Sequence, residues 1–436
     1  MQDDFLESLK LIGSKPGFER LNSKLGLERI KFLLEKSGRR WEDIPVVHVA
    51  GTNGKGSVVT FISNILSESD YKVGTYVSPH LLEIYERIKI GDQYISPQDF
   101  DRILSEIKPY CKEAENIEGI GSPTFFEILT VMAIIYFSDN KVDVIVSEVG
   151  LGGRLDATNV LNGKAVAITN ISFDHQEILG DTLEQILIEK AGIIKKDSIV
   201  SSCIDPELTK LLEKICIEKG ASLRLLGRDF EIIEKKIGKD KSIFDYNSCY
   251  NSFSNIKIRM LGRHQIINAA CAISLAETMI KFGFEISENN IREGLEKSSW
   301  PGRIQILKKN PTVIVDVAHN IAGAKSLSEN YNKLFNNSKT VLLVGISSDK
   351  DIDGILNEFS KISKKIILTT LPPRCANISI LEEKARKYFI NIKSFEDPLN
   401  AFDFSMSNLN KDETLLLTGS IYIAGYILKG KGLIGS

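Results

Sequence analysis

A glycine-rich stretch with a lysine and a hydroxyl group is the part of this sequence best suited to chemistry. An apolar segment that we predict as a buried strand, Val46–Ala50, comes before it, and a segment with helical apolar spacing follows it. In that setting, backbone N–H groups and a helix N-terminus attract an anion, Lys55 reaches the outer phosphates of a nucleotide, and Ser57 offers a hydroxyl to Mg²⁺. We therefore predict a phosphate loop, made of Gly51, Thr52, Asn53, Gly54, Lys55, Gly56 and Ser57.

This loop departs from the common P-loop pattern. Gly56 separates Lys55 from the hydroxyl residue, and Val49 stands where a glycine is usual. The alternative is a plain glycine-rich turn between a strand and a helix. We favour nucleotide binding, because a lysine and a hydroxyl both open the following helix.

The composition sets limits on the class of protein. The chain has 436 residues, a formal net charge of -2 and six cysteines without metal-type spacing. That charge gives no general attraction to nucleic acid or to anionic membranes. The N-terminus lacks the apolar core of a signal peptide, and no uncharged apolar run is long enough to cross a bilayer. We expect a cytoplasmic protein with reduced thiols and with neither nucleic-acid nor membrane partners.

The order of apolar patterns predicts an α/β fold in two domains. From Val46 onward, short apolar segments alternate with helical ones, which is typical of a parallel sheet covered by helices on both faces. Residues 1–43 look mostly helical, and short alternating runs over residues 224–262 indicate a small antiparallel sheet. Because the pattern breaks near Trp300, we predict a P-loop-containing parallel sheet domain over residues 1–298. A smaller Rossmann-like α/β domain follows over residues 299–436.

Polar residues follow one predicted strand after another. Ser78 comes after the second strand of the first domain, Glu148 ends another, and His175 lies just beyond a fourth. Since ligands bind beyond the carboxyl ends of parallel strands, we expect these groups to meet Ser57 at one edge and to hold Mg²⁺ there. Taken singly, a residue such as Glu148 is more often a strand-end carboxylate that reaches solvent, and one such as His175 is more often a turn or cap residue.

Further residues have both a chemical and a structural interpretation. Lys190 stands near the end of a predicted helix, where a lysine usually interacts with the helix dipole, and its chemistry alone favours that interpretation. Asp316 and His319 follow an apolar strand of the second domain and could simply cap the next helix. Arg303, just after the boundary, could reach a nucleotide if the two domains face each other.

Together these residues resemble the folylpolyglutamate synthase/dihydrofolate synthase family of the Mur ligase superfamily. The resemblance covers almost the whole chain, and the order of its segments is specific. These segments are Leu25–Arg29, Gly51–Ser57, Ser78–His80, Glu148–Asn159, Asp174-His175, Glu189–Ile193, Pro301–Arg303 and Asp316–Asn320. Three of the five histidines, His80, His175 and His319, lie in them.

The resemblance implies an ATP-dependent ligase that adds L-glutamate to a carboxylate through an acyl phosphate. It implies that Lys55 binds the β- and γ-phosphates, that Ser78, Glu148 and His175 hold Mg²⁺, and that Lys190 is carbamylated; K⁺ is also compatible with the site. It further implies that Asn268, Arg303 and Asp316 contact ATP, and that His319 lines the cleft.

For the acceptor the resemblance implies a folate or dihydropteroate. A pterin-bearing molecule would lie near Leu25, Phe125, Phe126, Leu155, Asp156 and Ala157. The run from Gly152 to Asn159 looks like the form common in bifunctional bacterial members, so we expect both folylpolyglutamate synthase and dihydrofolate synthase activity, in a monomer. An enzyme with only the first activity is the alternative.

Two other classes remain as alternatives. Peptidoglycan-type Mur ligases carry a nucleotide-sugar domain ahead of the phosphate loop, and a loop that starts at Gly51 leaves no room for one. A P-loop switch or motor would need neither the segment Asp316–Asn320 nor a glutamate site. Release of phosphate from ATP that depends on glutamate would separate a ligase from such a switch.

Overall fold

The computed structural model describes residues 26–335 and 339–433, which form two compact units. The first unit contains the described residues up to Ile233, together with Phe244–Lys257 and Ile267–Ser298. The second contains Glu234–Ile243, Ile258–Ile266 and the described residues from Ser299 onward. Two short segments from before residue 298 thus group with the second unit, and the division at 298/299 stays a prediction.

The helices and strands of the described chain alternate over most of its length. The helices are α1 (Glu28–Ser37), α2 (Lys55–Glu68), α3 (Pro97–Glu115), α4 (Phe125–Asp139), α5 (Gln176–Leu179), α6 (Leu183–Lys190), α7 (Pro206–Lys219), α8 (Arg263–Lys281), α9 (Glu288–Lys297), α10 (Ile321–Leu334), α11 (Ile352–Phe359), α12 (Ile378–Ala385), α13 (Pro398–Asn408) and α14 (Ile421–Gly430). The strands are β1 (Val46–Ala50), β2 (Val73–Tyr76), β3 (Ile88–Ile90), β4 (Gln93–Tyr94), β5 (Val144–Glu148), β6 (Gly163–Ile168), β7 (Ile199–Ser202), β8 (Ser222–Leu225), β9 (Phe230–Ile237), β10 (Ser242–Ser248), β11 (Ser252–Ile258), β12 (Gln305–Lys309), β13 (Thr312–Val315), β14 (Lys339–Val344), β15 (Lys365–Thr369), β16 (Asn391–Phe395) and β17 (Glu413–Thr418).

The large sheet of the first unit has the strand order β4-β3-β2-β5-β1-β6-β7-β8. Strands β2, β5, β1, β6, β7 and β8 run parallel, while β3 and β4 add an antiparallel edge. From β1 the chain moves to β2 on one side, and from β6 it moves to β7 on the other. The strand order therefore reverses between β1 and β6, which is where open α/β sheets bind ligands.

Helices cover both faces of this sheet because its strands are apolar on both faces. On β2, the ring of Tyr76 joins a core cluster with residues of α3 and α4, while Thr75 donates a hydrogen bond to Ser63 of α2 at 3.0 Å. On β7, Val200 packs with residues of α7, while Ser201 bonds with a residue of α8. Since neighbouring strand residues point to opposite faces, the helices of each pair lie on opposite sides of the sheet.

The small sheet and the sheet of the second unit complete the fold. Strands β11-β10-β9 form a three-stranded sheet. The second unit contains a sheet of order β12-β13-β17-β14-β15-β16, in which β12 and β13 pair antiparallel and the other neighbours pair parallel. Its core includes Leu261, Ile314, Val344 and Leu416. Within the part of the chain that the structure describes, no helix has the length and apolar content needed to cross a membrane.

The predicted α/β fold is confirmed, with differences at the sheet edges. Residues 224 and 225, the first two of the stretch predicted as a small antiparallel sheet, instead end β8 of the large sheet. The predicted helices ahead of Gly26 lie outside the described residues. Strands β3, β4, β12 and β16 were not predicted, because they are short or carry polar residues at every second position.

Candidate active site

The phosphate loop lies where β1 passes into α2, at the carboxyl edge of the large sheet. Gly54 has φ of +85°, a left-handed backbone that suits glycine, and α2 begins at the next residue. The N–H of Thr52 donates to Asn170 O, and the N–H of Asn53 donates to Asn170 Oδ1, both at 2.9 Å. The loop is thus fastened to the segment after β6, at the point where the strand order reverses, and a helix N-terminus faces any anion bound there.

The side chain of Lys55 turns back over the loop. Its ammonium group donates to Thr52 O at 3.2 Å and lies 3.9 Å from Glu148 Oε1. Only 17% of the Lys55 side chain and 6% of the Glu148 side chain are exposed, so water screens their attraction weakly. A lysine in this position can also meet phosphate oxygens that enter the loop.

Three of the predicted metal ligands, Ser57, Ser78 and Glu148, would bind a cation through oxygen atoms. The N–H of Ser78 donates to Glu148 Oε2 at 3.2 Å, which brings the ends of β2 and β5 together. Ser57 is 1% exposed, and its Oγ has no hydrogen-bond partner in the structure. A buried hydroxyl of this kind is costly unless a ligand satisfies it, and oxygen donors suit Mg²⁺. No three His, Cys, Asp or Glu side chains of the described residues form a metal-binding cluster, so a cation here would need hydroxyl ligands as well.

His175 occupies the N-cap position of the short helix α5, with φ of +52°. This is the cap position that the sequence left open as an alternative. Its Nε2 lies 3.6 Å from Asp174 Oδ1, and 20% of its side chain is exposed. Its segment is joined to the phosphate loop, since the N–H of Ser172 donates to Thr52 Oγ1 at 3.1 Å.

Lys190 is buried, although it ends helix α6. Its ammonium group donates to Gly51 O at 3.0 Å, so the side chain points into the site rather than to solvent. Burial, together with the charge of Lys55, lowers the pKa of Lys190 to about 7, against the opposing charges of Asp174 and Asp156. A substantial fraction of this amine is therefore neutral near neutral pH.

The segment Gly150–Asn159, named here the acceptor loop, packs on the end of α6 through two glycines. A Cβ on Gly153 would lie 2.6 Å from Lys190 O, and a Cβ on Gly192 would collide with the Cα of Arg154. The N–H of Arg154 also donates to a carbonyl oxygen of α6, Glu189 O, at 2.8 Å. Because these contacts join backbone to backbone, they fix the acceptor loop relative to Lys190.

The residues predicted to bind the acceptor differ in burial. Phe125, Asp156 and Ala157 are at most 5% exposed, and Phe125 and Ala157 share one hydrophobic cluster. Phe126 and Leu155 are partly exposed, and the Phe126 ring covers the first residue of the acceptor loop so closely that a Cβ there would collide with it. Leu25 lies outside the described residues. The assignment of these residues to a substrate stays a prediction.

Asn268 of α8 lies directly against the phosphate loop. A Cβ on Gly54 would be 2.5 Å from Asn268 Oδ1, and Asn268 is 6% exposed. Sequence reasoning missed the hydroxyl of Thr169, which donates to Asn53 O at 2.7 Å. The available signal was its position at the end of β6, since a strand next to β1 must place its last side chains beside the loop.

The remaining predicted site residues belong to the second unit. Asp316 follows β13, is 5% exposed and accepts the N–H groups of Ile304 and Ala318 at 3.0 and 2.9 Å. Burial raises the pKa of Asp316, while the charge of Arg303 acts in the opposite direction, so these two predicted residues lie near each other. Nδ1 of His319 lies 2.9 Å from the carbonyl oxygen of residue 317.

Comparison with known proteins finds relatives over most of the chain. Residues 49–276 match the model of the Mur ligase middle domain, and residues 302–421 match that of the Mur ligase glutamate ligase domain. The chain is 34% identical to the dihydrofolate synthase/folylpolyglutamate synthase of Bacillus subtilis, over 93% of this chain and 95% of the relative.

Solved structures of folylpolyglutamate synthases have the same fold as this chain. A Mycobacterium tuberculosis folylpolyglutamate synthase, solved in complexes with ADP and AMPPCP, superposes with a TM-score of 0.90 at 30% identity over 98% of each chain. A bifunctional folylpolyglutamate synthase/dihydrofolate synthase with Mn, AMPPNP and L-glutamate bound gives a TM-score of 0.81 at 28% identity, over 95% of this chain and 96% of the other. With both domain types matched and the nucleotide loop in place, the chain belongs to the dihydrofolate synthase/folylpolyglutamate synthase family of Mur ligases.

Proposed function

We propose that this protein is an ATP-dependent ligase that adds L-glutamate to folates through an acyl phosphate, and that it also accepts dihydropteroate. The observation that carries the proposal is the phosphate loop at the strand-order reversal, with Lys55 and the buried Glu148 beside it. The family membership and the names of the relatives support the same activity. Glutamate ligation of folates alone is the second candidate.

In the proposed reaction a carboxylate of the acceptor attacks the γ-phosphorus of ATP. The bond from that phosphorus to the β–γ bridging oxygen breaks, so ADP leaves and an acyl phosphate forms. The amine of L-glutamate then attacks the acyl carbon, inorganic phosphate leaves, and the amine loses a proton. Phosphoryl transfer of this kind depends on positioning and charge neutralisation, which the loop N–H groups and Lys55 provide.

The residues present fit a divalent cation, which we propose to be Mg²⁺. Ser57, Ser78, Glu148 and His175 would hold it, and the buried Ser57 hydroxyl without a protein partner supports this assignment. When bound, the cation neutralises charge on the phosphate oxygens. Glu148 keeps its place through the Ser78 N–H, so the protein holds this carboxylate at the strand end before ligands enter. A site for K⁺ is part of the same proposal.

The other roles complete the proposal. Asn268, Arg303 and Asp316 contact ATP, His319 lines the cleft, and Lys190 carries a carbamate. The acceptor lies against Phe125, Phe126 and the acceptor loop. We also propose that the enzyme is a monomer of the cytoplasm, and its six free thiols suit a reducing compartment.

The direct test is phosphate release from ATP with each acceptor. We expect release to require L-glutamate, and to occur with dihydropteroate and with tetrahydrofolate. The variant Lys55→Ala should lose this activity while remaining folded, because it removes the charge beside the β- and γ-phosphates; the exposed Lys214→Ala is its control.

Each alternative has its own outcome in this assay. Activity with tetrahydrofolate alone would leave the single-activity enzyme. Hydrolysis of ATP that is indifferent to glutamate and to both acceptors would contradict the ligase and favour a nucleotide switch.

A further inference from the structure

His48 belongs to none of the segments that carry the family resemblance. It sits in the middle of β1, is fully buried and has its Nε2 2.8 Å from Thr158 Oγ1. Thr158 belongs to the acceptor loop, 110 residues further along the chain. A buried polar pair thus connects the strand that leads into the phosphate loop with the loop that we assign to the acceptor.

The direction of the hydrogen bonds can be worked out from the chemistry of the groups. Burial raises the pKa of Asp156, whereas the N–H groups that its two carboxylate oxygens accept, from Thr158 at 3.0 Å and from Leu151 at 2.8 Å, act in the opposite direction and stabilise the ionised form. Thr158 Oγ1 also lies 2.5 Å from Asp156 Oδ1. A carboxylate only accepts, so the single hydroxyl hydrogen of Thr158 points to Asp156.

The hydroxyl of Thr158 can then only accept from the imidazole, so the proton of His48 lies on Nε2. The other ring nitrogen, Nδ1, is buried without a hydrogen-bond partner. An unpaired acceptor there is less costly than an unpaired N–H donor would be, which favours the same tautomer. Burial, helped by the charge of Lys195, lowers the pKa of His48 to about 3, so the ring is neutral near neutral pH.

We propose that His48 is a positioning residue for the pterin-bearing acceptor: through Thr158 it fixes the Asp156 carboxylate, and with it the shape of the acceptor loop relative to β1. This proposal rests on the proposed function. The same strand leads into the phosphate loop at Gly51, so it holds both the nucleotide site and the acceptor site. The acceptor carboxylate must be placed precisely for attack on the γ-phosphate. A loop that is attached to β1 keeps the acceptor in a fixed position relative to the nucleotide site.

The test compares variants that keep or remove one N–H donor. In His48→Gln the amide nitrogen can take the place of Nε2, whereas His48→Met has similar bulk and no donor. We expect His48→Met to raise the KM for dihydropteroate or tetrahydrofolate roughly tenfold, the effect of one lost buried hydrogen bond, with the KM values for ATP and glutamate within about twofold of wild type. His48→Gln should recover most of the acceptor affinity.

A matched control stands at the neighbouring position of the sheet. Ser147 on β5 pairs with His48 in register, and its buried Oγ has no hydrogen-bond partner. Ser147→Ala therefore alters the same layer of the core without changing the hydrogen bonds among His48, Thr158 and Asp156. It should leave the KM values for the acceptor, ATP and glutamate unchanged. Circular dichroism and thermal unfolding show whether each variant is folded.

A double variant tests whether His48 acts through the hydroxyl group of Thr158. Thr158→Val removes the hydroxyl, and His48→Met combined with it should be no worse than Thr158→Val alone. A uniform rise of all three KM values, equal damage in His48→Gln and His48→Met, or additive effects in the double variant would each overturn the proposal. A folded wild-type protein that ligates no glutamate to either acceptor would instead overturn the proposed function.

Discussion

At the scale of single residues, burial favours the neutral form of two basic side chains of the first unit. Lys190 has a pKa of about 7 and His48 one of about 3, in both cases chiefly because burial penalises the charged form. For the lysine, neutrality gives a nucleophilic amine beside the phosphate loop. For the histidine, it leaves a fixed hydrogen-bond donor inside the sheet.

We predict that Lys190 reacts with CO₂ to give a carbamate, the amine losing one proton as the new C–N bond forms. The neutral amine is the reactive form, and the nearby charge of Lys55 favours the anionic product. With ¹³C-labelled bicarbonate, NMR should show a carbamate signal in the wild type that is missing in Lys190→Ala. Activity should be lost in this variant and partly restored by a small carboxylate such as acetate. Full activity of Lys190→Ala, or no carbamate signal in active enzyme, would contradict the prediction; Lys214→Ala serves as control.

The buried His48 should make the first unit sensitive to acid. Its folded pKa of about 3 lies below the ordinary value of about 6.5, so between these values the unfolded chain binds a proton that the folded chain does not. The free energy of unfolding should therefore fall as the pH falls through this window, by at most about 1.4 kcal/mol per pH unit from this group.

Urea unfolding at pH 7.5, 6.0 and 5.0 measures this effect in the wild type and in His48→Gln. The two proteins contain the same carboxylates. The difference between their losses of unfolding free energy with falling pH therefore reports the titration of His48. We expect the variant to lose less stability than the wild type on going to pH 5.0. Parallel losses in the two proteins would show that His48 does not titrate in this way.

At the scale of elements, the acceptor loop and the end of α6 pack so closely that no side-chain atom fits between their backbones at Gly153 and Gly192. Gly192 meets the backbone of Arg154, so an added methyl group must push the two segments apart. Such overpacking costs about 1–3 kcal/mol. Because the displaced segment carries Lys190, activity should fall by more than the loss of stability explains.

Gly192→Ala tests this joint, and Gly238→Ala is its control. The methyl group in the control meets one carbonyl oxygen, Lys241 O, at 3.1 Å in the hairpin between β9 and β10, where a shift of a few tenths of an ångström relieves the contact, so it should cost less stability than Gly192→Ala. Thermal unfolding and the glutamate ligation rate are the two measurements. A folded Gly192→Ala protein with wild-type activity would show that Lys190 does not depend on this contact.

Buried strands were the elements that the sequence predicted best. Strands β1 and β5 lie in the middle of a parallel sheet, so both faces are apolar and the sequence shows one continuous run. Edge strands lack that pattern. Strand β16 reads Asn391-Ile392-Lys393-Ser394-Phe395, in which three polar residues interrupt the apolar run and two of them, Asn391 and Lys393, are exposed. The predicted start of the small antiparallel sheet took in the last two residues of β8, because a short alternating run does not reveal which strand it pairs with.

For the candidate site, the signal in the sequence is strongest where the geometry is local. The phosphate loop is a run of seven consecutive residues, whereas a role for Lys190 was implied only by the family resemblance, and its hydrogen bond to Gly51 O joins residues far apart in the chain. The link from His48 to Thr158 was not predictable. It joins residues far apart in sequence, and nothing in the order of residues around His48 distinguishes it from any other residue of a buried strand.

At the scale of the whole molecule, the predicted nucleotide contacts are divided between the two units. Lys55 and Asn268 belong to the first, whereas Arg303 and Asp316 belong to the second. We predict that all of them contact one ATP, so that both units enclose the nucleotide during chemistry and keep water from the acyl phosphate.

Small-angle X-ray scattering tests this closure. We expect the radius of gyration to decrease when an ATP analogue and an acceptor are added together. Arg303→Ala should weaken the compaction and raise the KM for ATP roughly tenfold, as for a lost charged hydrogen bond. Unchanged dimensions together with wild-type kinetics of Arg303→Ala would mean that the second unit is only a scaffold.

The path of the chain between the two units limits how this protein can be divided. Glu234–Ile243 and Ile258–Ile266 belong to the second unit, although they are encoded inside the stretch that builds the first. A gene fragment that begins at Ser299 therefore lacks Leu261, which fills part of the second unit's core. On the ribosome, these two segments emerge well before the strands of the second unit that complete that core. A cut between residues 298 and 299 therefore separates the second unit from part of its own core.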